Sequence, residues 1–293
     1  MRMIPLLISD STKTHTELAI KYFIPQALGS IIIIAFSSLE LLINSKNIFI
    51  FSNPVIIVAL IIKMGGAPLH FWFPQIIIQI NYPQISLLLT WQKIAPLFLL
   101  SYFINRTLLI LFVVARRLVG RIGGLNQTSL KIILTYSSIV HARWIIALTF
   151  ISPNYFLLYM IIYAVITLNL LRIFHLIKIN SVLNFKPILK ISKLLISFSI
   201  LSIGGLPPFL GFFIKLAAVN LILLNYSTTL SFILVITSLI SLFYYFKVIY
   251  NFLLGESEPS ILTNKFKSID SRTIFFCWAV RINIITPILV LLT

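Results

Sequence analysis

The sequence predicts an all-α, polytopic membrane protein, a helix bundle of about nine transmembrane spans, some of them broken. Three observations predict it. The 293 residues are 59% hydrophobic, with a mean hydropathy of +1.06. Only 10% are charged, where a soluble domain carries about 25%. The apolar runs lack the alternation of barrel strands and approach the ~20 residues that a helix needs to cross a bilayer. Backbone polar groups find no water in lipid, so helices must satisfy them internally. Residues 1–293 are expected to form a single transmembrane domain.

The first span is Leu18–Leu39, after the polar stretch SDSTKTHTE. The second is Ile48–Met64, and the third is Pro83–Ile104 with Lys93 inside it. Leu108–Gly120, Thr128–Phe150 and Tyr155–Ile177 follow. Ile191–Leu224 is too long for one crossing and holds GGLPP at 204–208, which predicts a broken helix or two packed pieces. The eighth span is Thr229–Leu253. The longest polar loop, GESEPSILTNKFKSIDSR, leads to the last span, Thr273–Leu292.

Charge and cysteine content exclude several classes. The formal net charge is +17, from 23 Lys and Arg against 6 Asp and Glu. The basic residues are scattered, with no basic face or base-stacking module, so no nucleic-acid partner is expected. Basic helix ends instead contact lipid headgroups or set orientation. Arg116, Arg117 and Arg121 lie in or just after the second half of the short fourth span. Each costs roughly 2.5–3.5 kcal/mol at a bilayer centre. They fit an early end to the span with snorkelling side chains, or a contact with an anionic lipid such as cardiolipin or with a partner subunit. Cys277 is the single cysteine, so cysteine-held iron–sulfur clusters and zinc within the chain are excluded. His15, His70, His141 and His175 are too dispersed for a metal set. No glycine-rich nucleotide loop and no secretory leader is read.

Three lysines stand beside helix-breaking chemistry. Lys63 precedes Gly65, Gly66 and Pro68; Lys93 lies three residues before Pro96; Lys215 follows GGLPPFLGFFI. Proline removes a backbone donor and frees a carbonyl, so a lysine beside such a break can occupy a polar pocket rather than lipid. Desolvation disfavours the charged form of a buried amine, which lets a lysine load and release a proton near neutral pH. His70, just beyond Lys63, titrates naturally in that range. Tyr136, Ser137, Ser138 and His141 extend a hydrogen-bonding path through the fifth span. A plainer reading stands beside each: Lys63 and Lys215 as snorkelling anchors, and His141 as a packed histidine. Arg172 and Lys247 lie near span ends and read as anchors. One half of the chain offers a lysine beside GGAP, and the other a lysine after GGLPP. Paired broken helices in two halves are the pointer to an inverted-repeat transporter with ion sites near the midplane.

Four segments occur in order: KMGGAPLHFWFPQ (63–75), LLLTWQKIAPL (87–97), GGLNQTSLKIILTYSSIVH (123–141) and LSIGGLPPFLGFFIK (201–215). Together with TELAIKYFIPQALGS (16–30), they resemble the chain 2 family of mitochondrial NADH-ubiquinone oxidoreductase, in its arthropod-like form. The resemblance runs from Ile4 to Leu253. It implies an antiporter-like, inverted-repeat subunit of the membrane arm of respiratory complex I, multi-pass in the mitochondrial inner membrane. Its expected partners are other membrane-arm subunits and lipid. It implies no cofactor in this chain, with NADH, FMN, iron–sulfur clusters and ubiquinone handled by other subunits. Lys63 matches the lysine of the family's first broken helix, Lys93 its central bridging lysine, and Lys215 the lysine of its second broken helix. His70 matches the histidine of the family's HFW segment.

Three departures accompany the match. The family begins with about two further helices, the second carrying a glutamate that pairs with the Lys63-type lysine. Here IPLL sits at 4–7, so that glutamate is expected before Met1. Glu40 does not match that position and reads as the end of the first span. Ile214 and Leu216 stand where the family has proline and tryptophan around the last lysine. Arg143 replaces a small residue after His141, adding a charge to the central path. The expected function is proton translocation within complex I. A structural subunit that has lost transport and a stand-alone cation/proton antiporter are the alternatives.

Overall fold

The computed structural model describes residues 13–43, 46–103, 123–124, 127–149, 151–177, 181, 190–225 and 228–254. The expected spans Leu108–Gly120 and Thr273–Leu292 lie outside the described residues, as do the 255–272 loop, Arg116, Arg117, Arg121 and Cys277. Among the described residues the fold is all-helical, apart from an isolated bridge between Ser129 and Ser181. The helices are α1 (Lys13–Ile43), α2 (Lys46–Lys63), α3 (Trp72–Gln79), α4 (Tyr82–Leu89) and α5 (Trp91–Leu100), then α6 (Leu130–Thr149), α7 (Pro153–Ile177), α8 (Lys190–Gly204), α9 (Leu210–Asn225) and α10 (Thr228–Leu254). Stretches of α1, α6, α7 and α10 are long and apolar enough to cross a membrane.

α6 is the central element. It touches α3, α5, α7, α9 and α10, and nearly all of its 20 residues are buried. At 1.5 Å per residue it is ~30 Å long, the thickness of a bilayer's hydrocarbon core. Its ends belong to two separate apolar clusters. Leu130, Ile133 and Leu134 pack with residues of α1, α3, α4, α7, α8 and α10. Trp144 to Leu148 pack with residues of α2, α5, α7, α9 and α10. Between them, buried Thr135, Ser137, Ser138, His141 and Arg143 form a polar layer near the middle of the helix. The outer surface is the reverse: Ile31, Ile34, Leu41, Ile161, Leu224 and Phe232 are all more than 60% exposed. An apolar outside around a polar inner layer fits lipid as the solvent.

α1 and α2 form an antiparallel hairpin. Gln26 of α1 donates to the Lys63 carbonyl at 2.9 Å, and Ser52 donates to Glu40. Ser52 is eleven residues from Lys63 on α2, ~16 Å along the axis, so Glu40 serves the far end of the hairpin. This agrees with Glu40 as the close of the first span.

Two glycine-ended helix breaks share one geometry. At the end of α2, Gly65 has φ +65°, Gly66 N–H donates to Ile61 C=O and Gly65 N–H to Ile62 C=O. At the end of α8, Gly205 has φ +78°, Leu206 N–H donates to Leu201 C=O and Gly205 N–H to Ser202 C=O. Both are Schellman closures, which need a left-handed residue after the helix and therefore favour glycine. The prolines that follow, Pro68 and Pro208, both sit in cis peptides.

Two elements differ from expectation. Trp72–Gln79 is helical and completes the first broken helix. The expected continuous span over Pro83–Ile104 is instead two helices meeting at Thr90. Thr90 Oγ1 donates to Ser86 C=O at 2.7 Å, competing with the backbone ladder as helix-bending threonines do. Pro96 contributes no N–H to the α5 ladder. The C-terminal end of α3 is held by Lys131, whose Nζ donates to the Ile78 carbonyl at 3.1 Å and to Ile80 at 2.8 Å. Replacing it by methionine leaves both carbonyls uncapped. Lys131→Met should lower stability by about 1 kcal/mol, allowing for its partial exposure. Thermal unfolding of the detergent-solubilised protein checks this, and Lys131→Arg should unfold as the native chain does.

Candidate functional site

The polar layer on α6 is where charged side chains from the two halves meet. Lys93, on α5, is 2% exposed. Its Nζ donates to the Ser138 carbonyl at 3.2 Å and lies 5.6 Å from the Phe73 ring centre and 5.9 Å from that of Tyr163. These rings present their negative faces to the ammonium. Phe73 also packs on Gly65, where a Cβ would meet it at 2.7 Å. The first helix break therefore reaches Lys93 through one aromatic ring.

One turn beyond Ser138, His141 fills the centre of the layer. Its Nδ1 lies 3.0 Å from the Tyr159 hydroxyl, and its ring stacks on Tyr163 at 4.9 Å. The Ile203 carbonyl faces the same imidazole, and the charges of Lys93, Lys215 and Arg143 all reach it. Lys215, on α9, turns back into the second break. Its Nζ donates to Gly204 C=O at 2.6 Å and to Ile203 C=O at 3.2 Å. The carbonyls that α8 cannot bond internally thus become the acceptors for a buried cation. Gly205 makes the room, because a Cβ there would lie 2.8 Å from Cδ and Nζ of Lys215. Lys93 thus bonds a carbonyl one helical turn from His141, and the Ile203 carbonyl is shared by His141 and Lys215.

The remaining expected residues fall into two places. His70 and Tyr136 meet edge to face at 6.1 Å, and the Pro68 carbonyl lies 3.1 Å from His70 Nδ1. They pair beside the first break rather than on the central line. Lys63 stands apart and half-buried. Its stem crosses α1 at Gly29, where a Cβ would press on Lys63 Cγ at 2.8 Å. Arg143 is buried beside His141 and Lys215, as its position in the sequence implied. Arg172 and Lys247 are exposed on the bundle surface.

Several participants escape sequence reading. Tyr159 and Tyr163 frame His141, yet in an apolar helix they read as packing residues. Gln26 and Gly29 hold Lys63, and no spacing announces them. Gly205 had a signal, the double glycine before a diproline, but its role as the cradle of Lys215 appears only in three dimensions. Among the described residues no three His, Cys, Asp or Glu side chains converge as metal ligands.

An all-helical membrane bundle with two matching helix breaks and buried bases between them defines the class of antiporter-like membrane subunit. Residues 2–241 match the family described as NADH:quinone oxidoreductase/Mrp antiporter, TM. The chain belongs to that family, and within it to the NADH-ubiquinone oxidoreductase chain 2 group. It is 33% identical over 278 residues to NADH-ubiquinone oxidoreductase chain 2 of Anopheles gambiae, covering 92% of this chain and 81% of the relative. It is 37% identical over 269 residues to the same-named protein of Myxine glutinosa, covering 85% and 75%. Its fold matches a chain of respiratory complex I from Thermus thermophilus, solved with bound aureothin, at a TM-score of 0.76 and 21% identity. That match covers 87% of this chain and 63% of the bacterial one.

The cradle at the second break is directly testable. Gly205→Ala forces a left-handed residue, costing about 1–2 kcal/mol, and places a methyl against Lys215. A structure of this variant should show Nζ moved off the Gly204 carbonyl. An unmoved Nζ would contradict the close-fit reading.

Proposed function

We propose that this chain is a core membrane-arm subunit of respiratory complex I, the proton-translocating NADH:ubiquinone oxidoreductase. It would lie in the mitochondrial inner membrane as a multi-pass protein, with residues 1–293 acting as one transmembrane domain. Its partners would be neighbouring membrane-arm subunits and membrane lipid, including cardiolipin. NADH, FMN, iron–sulfur clusters and ubiquinone would be bound by other subunits, and no electron would pass through this one.

The observation that carries the reading is the line from Lys93 through Ser138 and His141 to Lys215. It is buried, runs through the middle of the bundle and joins the α5 helix to the second break. A buried amine that donates to backbone carbonyls gains charge stabilisation from their dipoles and loses it to desolvation, so small changes nearby shift its proton. His141 can take a proton on one ring nitrogen and release one from the other. A charge arriving at one lysine repels a proton on the next, which makes loading and release sequential. Lys63, with His70 and Tyr136 beside the first break, would form the entry group; Lys93 and His141 would bridge, and Lys215 would release.

Lys93→Met keeps the stem and removes the ionisable group. In the assembled complex it should cut NADH-driven proton translocation roughly tenfold, about 1.4 kcal/mol in barrier, with the cofactors still present. Proton flux in reconstituted vesicles measures this against NADH oxidation. Native pumping by a fully assembled variant would refute the role.

A further inference from the structure

The glycine pair that opens GGLNQTSLKIILTYSSIVH has no part in the site described so far. Yet Gly123 and Gly124 lie along the side chain of one of its residues, Tyr136. A Cβ on Gly124 would be 3.6 Å from Tyr136 Cβ, at the root of that side chain. A Cβ on Gly123 would overlap Cε1 and Cζ of Tyr136 and lie 2.7 Å from its hydroxyl oxygen, at the tip. Carbon atoms in contact rest about 3.5–4.0 Å apart. A methyl group on Gly123 therefore displaces the phenol by about 1 Å. A methyl group on Gly124 meets only ordinary contacts, the nearest being Tyr244 Cε1 at 3.4 Å.

The displaced ring is the one that meets His70. Tyr136 is half-buried on α6, and its ring stands edge to face with that of His70 at 6.1 Å and 63°. His70 is buried and held by two further contacts. Its Nδ1 lies 3.1 Å from the Pro68 carbonyl. A carbonyl can only accept, so Nδ1 carries the proton and Nε2 is left as the acceptor. Its ring also packs on Phe71 at 4.8 Å. An edge-to-face pair depends on where the ring edge sits. With His70 held by Pro68 and Phe71, the position of the phenol sets this contact, and Gly123 sets the position of the phenol. The contact of Gly124 with the Tyr244 ring of α10 keeps the glycine pair close against α6.

We propose that Gly123 is a positioning residue. Its lack of a side chain lets the hydroxyl end of Tyr136 settle against the backbone, which fixes the phenol edge on His70 beside the first helix break. Gly123 acts through Tyr136 and handles no proton itself. Any larger residue at 123 moves the phenol and changes its contact with His70. The inference rests on the proton-translocating reading above, in which His70 and Tyr136 belong to the entry group. Gly124 supplies the comparison, because the same substitution one residue away leaves the phenol in place.

The test uses Gly123→Ala, Gly124→Ala, Tyr136→Leu and the Gly123→Ala/Tyr136→Leu double variant in the assembled complex, with Lys93→Met alongside. Gly123→Ala should lower protons moved per NADH by about threefold, and Gly124→Ala should pump as the native complex does. Tyr136→Leu removes the atoms that Gly123 touches, so adding Gly123→Ala to it should cause no further loss. Infrared difference spectra give a second readout. The histidine ring band that His70→Gln removes should shift in Gly123→Ala and stay in place in Gly124→Ala, which a plain loss of stability would not produce. Native pumping by Gly123→Ala, with Lys93→Met impaired, overturns the positioning role and leaves the main reading standing. Native pumping in both overturns the main reading as well. A loss in Gly123→Ala that persists in full on top of Tyr136→Leu, or a histidine band that does not shift, also overturns the positioning role. If Gly123→Ala does not assemble, the double variant decides: assembly once the phenol is gone supports the contact, and failure to assemble overturns it.

Discussion

A cation buried in a membrane bundle needs acceptors that lipid does not provide, and this fold draws them from its own backbone. Lys215 bonds the last two carbonyls of α8, and Lys131 bonds the carbonyls at the end of α3. A helix that ends inside the bundle presents carbonyls that nothing in the helix can satisfy. A lysine there answers two deficits at once. The helix breaks therefore belong to the charge sites themselves, and Gly65 and Gly205 are the residues that let the chain break so tightly.

This constraint also orders the interior. The two apolar clusters meet α6 at its ends and leave its middle to serine, threonine and histidine. Hydroxyls that bond their own helix one turn back add no unpaired donor, yet they keep an oxygen free to face a neighbour. A polar layer built this way stays in register across helices from both halves of the chain. Lys93 enters it from α5 and Lys215 from α9, while Lys63 remains on the α1–α2 hairpin. The arrangement is thus less symmetric than the two breaks. Lys63 precedes its break, and Lys215 follows the other by ten residues.

Much of this was legible in the sequence, because charge and proline inside apolar runs are expensive and therefore conspicuous. The spans through Leu130–Thr149, Pro153–Ile177 and Thr228–Leu254 stood out, as did the break at GGLPP. The segment WFPQIIIQ did not, since eight residues with an internal proline give too short a pattern for a helix. The bend at Thr90 was hidden because apolar residues continue through it and the bond to Ser86 leaves no mark on hydropathy. Lys93 was the clearest site residue, with apolar sequence on both sides. Its acceptor was not readable, since a backbone carbonyl has no residue identity. Tyr159 and Tyr163 were likewise indistinguishable from packing aromatics.

The central claim is that lysines in this layer change protonation during turnover. Infrared difference spectroscopy on the complex, with lysine labelled by nitrogen-15 and turnover started by NADH, reads this directly. The account predicts an isotope-sensitive ammonium band that changes on turnover and loses part of its amplitude in Lys215→Met. Lysine bands that stay constant while the native complex pumps would contradict it.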